Sequence, residues 1–186
     1  MSKKQYVFGY GSLVSREDIF RTLGRQVEFI YPATLNGWIR DWSVVIDNTT
    51  SHRQFALGGG KGVANYVAAL NVRRPATDEP STNPNGILFE VSEADLRKLD
   101  KRESHYRRVD ITTDVVNRPT GTVYTYTGLD QFLDVHNEAV KAVIPESYLE
   151  LVTQGFASLG PDMRGEYLRT TQPSSLPVVG SVFKKA

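Results

Sequence analysis

Two short stretches of this chain combine residue types that can do chemistry. In Gly9-Tyr10-Gly11-Ser12-Leu13 two glycines flank one aromatic residue, so the backbone can turn sharply and aim successive N–H groups at one point. Such an arrangement, followed by the start of a helix, suits a carboxylate or a developing oxyanion. A plain tight turn has the same spacing. The second stretch contains Glu103. Leu96, Leu99 and Glu103 stand at i, i+3 and i+7, nearly in line on one helical face, while Asp95, Arg97, Lys98, Lys101 and Arg102 fall mostly elsewhere. A carboxylate carried inward by an apolar face loses solvation, which favours its neutral form and raises its pKa toward that of a general base. A structural ion pair with Arg107 or Arg108, just beyond the helix, fits the same placement.

Other groups carry less. The segment GGGKG at 58–62 lacks the spacing and the following Ser or Thr of a phosphate loop. His52, His105 and His136 are too scattered for a metal site, so none is expected. Ser12 lies in G-Y-G-S-L rather than G-x-S-x-G, and acyl transfer or hydrolysis through its hydroxyl stands as a separate reading. Trp38 and Trp42 read as core or sheet-face residues. Tyr124 and Tyr126, two apart in a strand, face one side, where core packing is the default reading.

Composition narrows the field. The chain has 186 residues, 40% of them hydrophobic, with 22 basic and 21 acidic side chains and no cysteine. The missing cysteines exclude disulfides, thiolate zinc sites, iron–sulfur clusters and a Cys nucleophile. A net charge of +1 gives no bulk pull toward nucleic acid or an anionic membrane. No window approaches the roughly 18 apolar residues of a spanning helix, and the first residues are broken by glycines and early charge, unlike a secretory signal. A cytoplasmic protein is expected.

The elements that must position these groups follow from periodicity. Strands are expected at 5–9, 27–33, 38–46, 66–72, 86–91, 108–116 and 122–127. Ser15 and Gly24 bracket a short helix, and Ser92 with Asp95 opens another as a capping box. Residues 129–143 predict a broken helix, and 145–160 a helix with Pro145 in its first turn and a stripe of Tyr148, Leu151, Val152 and Phe156. Long surface loops are expected at 47–65 and 74–85. The fold class is α+β, a small mixed β-barrel with helices packed outside. It forms a single domain over 1–186 with its core at about 5–170, and 171–186 is a tail or packing arm.

Taken together, VFGYGSL at 7–13 and LDKRESHYRRV at 99–109 resemble the gamma-glutamylcyclotransferase superfamily, whose members carry a Y-G-S loop after the first strand and L-D-x-x-E-x-x-Y downstream. Tyr10, Gly11, Ser12 and Leu13 stand at the first motif, and Leu99, Asp100, Glu103 and Tyr106 at the second. ATLNGWIRDWSV, NGILFEVSEADL and PESYLELVTQGFASLG are similar to family segments in the same order, so the resemblance spans roughly 5–165. It implies a reaction without cofactor, in which a gamma-glutamyl amine or dipeptide cyclises to 5-oxoproline and frees an amine or amino acid. In that reading Glu103 is the general acid/base, Tyr10 to Leu13 hold substrate oxygens, and Tyr106 orients carboxylate or substrate from one turn further along the helix. A non-catalytic module binding a small carboxylate is the alternative. Ser104 stands where the family often has glycine, and nothing in the sequence fixes the oligomeric state.

Overall fold

The computed structural model describes residues 3–28, 30–49, 53–55, 62–133, 141–180 and 182–184. His52, His136 and most of GGGKG lie outside them, as does 134–140 of the expected broken helix. Strand β1 (Gln5–Gly9) is the spine of a six-stranded mixed sheet. It runs antiparallel to β6 (Asn85–Val91) and parallel to β9 (Thr122–Gly128). Beyond β9 lies β7 (Tyr106–Asp110), and beyond β6 lie β2 (Ile30–Leu35) and β8 (Val115–Val116). Val7 and Phe8 of β1 and Ile87, Leu88 and Phe89 of β6 are all buried. Consecutive buried residues mean that both faces of the central strands are covered, which their unbroken apolar runs require.

A second sheet joins β3 (Ile39–Asp47), β5 (Tyr66–Arg73), β10 (Ala142–Pro145) and β11 (Val178–Val179), and β4 (Arg53–Phe55) pairs with β12 (Val182–Lys184). Buried Asn71 of β5 couples the two larger sheets. Its side-chain oxygen accepts the Gly128 N–H at 2.8 Å and its amide donates to Ser43 Oγ at 3.0 Å. Two hydrogen bonds through one satisfied side chain fix the seam where an unpaired amide would cost stability. The result is α+β, a mixed sheet curled into a half-barrel, with four α-helices among the described residues.

Helix α1 (Arg16–Leu23) has the expected caps: Ser15 Oγ accepts the Asp18 N–H, and Gly24 takes the left-handed conformation at φ 70°. Helix α2 (Glu93–Arg102) opens on the Ser92–Asp95 capping box. Two expectations are corrected. The strand at 108–116 stops at Asp110, because its Oδ1 accepts both the N–H and the hydroxyl of Thr112 and turns the chain. Residues 142–143, expected as the end of a broken helix, are strand and pair with Tyr66 and Val67 of β5. The helix expected at 145–160 is α3 (Glu146–Ser158), which ends before Gly160 at φ 124°, and a further helix that was not expected, α4 (Pro161–Thr170), starts at Pro161. Past Thr170 the chain packs back on the body, the Gln172 N–H donating to the Arg40 carbonyl at 2.8 Å and β11 lying parallel to β10.

Candidate active site

The loop after β1 and the end of α2 meet at a cavity of about 260 Å³. β1 delivers the loop from the middle of the sheet, where its two neighbours hold it in register. After Gly9 the chain folds back so closely that a Cβ there would sit 2.6 Å from the Leu13 carbonyl oxygen. A Cβ on Gly11 would stand 3.1 Å from Tyr148 Oη, so hydrogens at these two places set the shape of the loop. A single 3₁₀ turn follows at Ser12–Val14, whose ladder begins with the Val14 N–H donating to the Gly11 carbonyl. The amides of Gly11, Ser12 and Leu13 precede that ladder and have no acceptor within the turn. Tyr10 locks the loop from behind, its hydroxyl donating to the Tyr126 carbonyl at 2.7 Å.

α2 supplies the carboxylate. Leu96 and Leu99 are buried against the sheet, and the Glu103 N–H closes the last turn on the Leu99 carbonyl. Glu103 itself has left helical geometry at φ −86°, ψ 46°. Its side chain is 14% exposed and lines the cavity. Burial pushes its pKa up and Asp18 adds to that, while Arg102 opposes it. Asp100, the acidic residue of the downstream motif, fastens the helix from the other side by accepting from Tyr126 Oη at 2.8 Å and pairing with Arg108 at 3.3 Å.

The ion pair expected with Arg107 or Arg108 goes elsewhere. Glu103 Oε1 contacts Nη1 of Arg102, Arg107 pairs with Asp130 and Arg108 with Asp100. Tyr106 is also corrected in its element. It is the first residue of β7, not a further helical turn, because the chain reverses at Ser104 and His105 and the Tyr106 N–H donates to the Glu103 carbonyl at 2.9 Å. Its ring still reaches the cavity, its hydroxyl donating to the Leu70 carbonyl at 2.9 Å. Of the strand-mates on β9, Tyr126 lines the cavity, whereas the Tyr124 ring carries the Arg108 guanidinium 5.1 Å from its centroid.

Tyr10, Gly11, Ser12, Leu13, Glu103 and Tyr106 thus share one cavity. Sequence reasoning missed Tyr148 of α3, whose ring meets Trp42 edge-on at 6.0 Å and which was visible only as the sole hydroxyl in an apolar stripe. Arg102 was placed off the buried face by helical periodicity, yet the helix ends there and its side chain turns to the cavity. Asp18, in the first turn of α1, is buried beside Arg102.

Burial raises the pKa of Tyr10, Tyr106, Tyr126 and Tyr148, so these phenols keep their protons and act as hydrogen-bond groups. It lowers that of His105, whose ring packs on Phe132 at 4.6 Å. Glu103 is the one carboxylate among the described lining residues. Ser12 Oγ accepts from Arg102 Nη2 at 3.0 Å, and a cation does not activate a hydroxyl as a base would. Among the described residues, no three His, Asp or Glu side chains are placed to hold a metal, and no helix is long and apolar enough to cross a membrane.

Comparison with solved structures finds the same fold at low identity. A protein described as gamma-glutamyl cyclotransferase matches at TM-score 0.59 and 12% identity over 93% of this chain and 90% of its own. YkqA from Bacillus subtilis matches at 0.60 and 18% over 95% of this chain and 56% of its own, so this chain spans just over half of that protein. Protein loc79017 from Homo sapiens matches at 0.60 and 15% over 97% and 95%. A sequence comparison with curated proteins finds no significant match. The profile described as gamma-glutamyl cyclotransferase, AIG2-like, matches residues 7–147, which takes in both the Tyr10 loop and the Glu103 helix end. The chain therefore belongs to the gamma-glutamyl cyclotransferase, AIG2-like family.

Proposed function

We propose that this protein is a cyclotransferase that converts a gamma-glutamyl amine or dipeptide to 5-oxoproline and a free amine or amino acid without a cofactor. The observation that carries the reading is one largely buried carboxylate, Glu103, facing the Tyr10–Leu13 loop across one small cavity. An ammonium has no lone pair to attack with, so a base must first remove a proton. Glu103, with its affinity for protons raised by burial, accepts one from the substrate's α-ammonium. The amine nitrogen attacks the side-chain carbonyl carbon of the same molecule, and the bond from that carbon to the departing nitrogen breaks. Of the three ammonium protons one stays on the ring nitrogen and two leave with the departing amine, carried by Glu103.

The amides of Gly11, Ser12 and Leu13 meet the oxygen on which charge develops, and the buried tyrosines hold the glutamyl chain folded back on itself. Ring closure is then a reaction within one preorganised molecule. The test is a panel of gamma-glutamyl dipeptides and gamma-glutamyl amines assayed for 5-oxoproline. Glu103→Gln is expected to lose on the order of a hundred- to ten-thousand-fold in kcat, whereas His105→Asn retains most of it. Full activity in Glu103→Gln sinks the assignment. Thermal stabilisation by panel compounds with no turnover in the wild type identifies a binding module instead.

A further inference from the structure

We infer that Arg102 is the residue that receives the substrate's α-carboxylate, and that binding draws its guanidinium off Glu103. The inference takes its substrate class from the reading above. Arg102 spans the cavity from base to loop: Nη1 contacts Glu103 Oε1, while Nη2 reaches Ser12 Oγ at 3.0 Å and Asp18 Oδ2 at 3.5 Å. Asp18 is buried and is itself held by Arg21 Nη1 at 3.0 Å, so it anchors one arm of the guanidinium while the other is free to change partner. The side chain is 29% exposed and opens to the cavity. A guanidinium has five N–H donors in a planar fork that fits a carboxylate with two parallel hydrogen bonds.

The chemistry of the substrate does the rest. In a gamma-glutamyl compound the α-ammonium and the α-carboxylate are attached to one carbon. A pose that brings the ammonium to Glu103 therefore brings the carboxylate to the group beside Glu103, and that group is Arg102, the one permanent cation among the described lining residues. The exchange of partners has a catalytic consequence. While paired with Arg102, Glu103 is held in its charged form. When the incoming carboxylate takes the guanidinium, Glu103 loses that support at the step where it must accept a proton. Arg102 thus selects for a free α-carboxylate and makes the base more basic only when the right ligand is present.

The experiment compares 5-oxoproline with its carboxamide, which differ only in that charge, by titrating each into the wild type, Arg102→Gln and Arg102→Lys with NMR detection of binding. The wild type is expected to bind the acid about 100-fold more tightly, as a bidentate charged pair implies. Arg102→Gln brings the two ligands within about threefold, and Arg102→Lys keeps an intermediate preference. An acid preference unchanged in Arg102→Gln, or absent from the wild type, overturns the inference. Turnover of a gamma-glutamyl amine and its α-carboxamide, followed in parallel, separates the two claims. Loss of kcat/KM for the acid alone in Arg102→Gln supports the inference. Equal loss for both substrates refutes it. A wild type that shows the Arg102-dependent binding preference but forms no 5-oxoproline refutes the role of Glu103 and leaves that of Arg102 standing.

Discussion

At the scale of single residues, the site sets function against stability. Glu103 has a pKa raised above its ordinary 4.5 by burial. The sign follows from linkage: the folded protein binds this proton more tightly than the unfolded chain does, so the benefit is complete below 4.5 and is lost as pH rises through the raised value. Glu103→Gln, which stays neutral, is therefore expected to melt at a higher temperature than the wild type at about pH 8, with the gap closing on acidification, as calorimetry across that range would register. Activity runs the other way. Under the proposed mechanism the acidic limb of kcat/KM should fall at a pH above 4.5 and keep its position in His105→Asn, because Glu103 acting as base must be charged to accept a proton. A limb that moves with His105 would transfer the role of base to that ring. At this scale the sequence was readable in one respect, that Glu103 and the loop 10–13 come to the same cavity. It misled at Arg102, since a helical wheel describes a face and says nothing of a side chain at the last turn, where the helix no longer shields the end.

At the scale of elements, one buried cation ties the sheet to the helices. Arg40 of β3 has no exposed surface and no acidic partner among its hydrogen bonds. Nη1 donates to the Asn85 carbonyl at 2.6 Å, and Nη2 to Asn85 Oδ1, the Tyr167 carbonyl and Thr170 Oγ1 at 2.9, 3.1 and 2.8 Å. The Phe156 and Tyr167 rings lie 5.1 and 4.7 Å from its carbon centre. Burial draws its pKa down to about 9, which still leaves it a cation at neutral pH, stabilised by carbonyl dipoles and ring faces in place of a counterion. Arg40→Leu should cost roughly 2–4 kcal/mol by stranding these acceptors, seen as a lower urea midpoint, and Arg40→Lys should not restore it because the fork is lost. The caps of α1 and α2 were legible because Ser15, Gly24 and Ser92–Asp95 act locally. Helix α4 was not, since Gly160 and Pro161 mark an end and a beginning with the same two letters.

For the whole molecule, pairings between distant segments decide the outcome, and these have no local signature. Nothing near residue 142 announces a strand, because its partners are Tyr66 and Val67 on one side and Val178 and Val179 on the other. β10 runs directly into α3, the helix that brings Tyr148 to the cavity, so the arm at 176–180 braces the site from outside. Deleting residues 176–186 removes that pairing and the burial of Val179. It is expected to cost roughly 2 kcal/mol and to raise KM more than it lowers kcat, as steady-state kinetics on the truncated protein would reveal. One distance in the molecule has a wider meaning. α2 is fixed at its start by the Ser92–Asp95 box, with Arg25 gripping Asp95 at 2.7 Å, and at its end by the placement of Glu103. A residue gained or lost between those points would move the carboxylate about 1.5 Å and swing it about 100° around the axis, away from the loop. The helix is a ruler. An added residue in an exposed turn such as 117–120 leaves that placement untouched, whereas one added between Ser92 and Glu103 is expected to empty the cavity of its carboxylate.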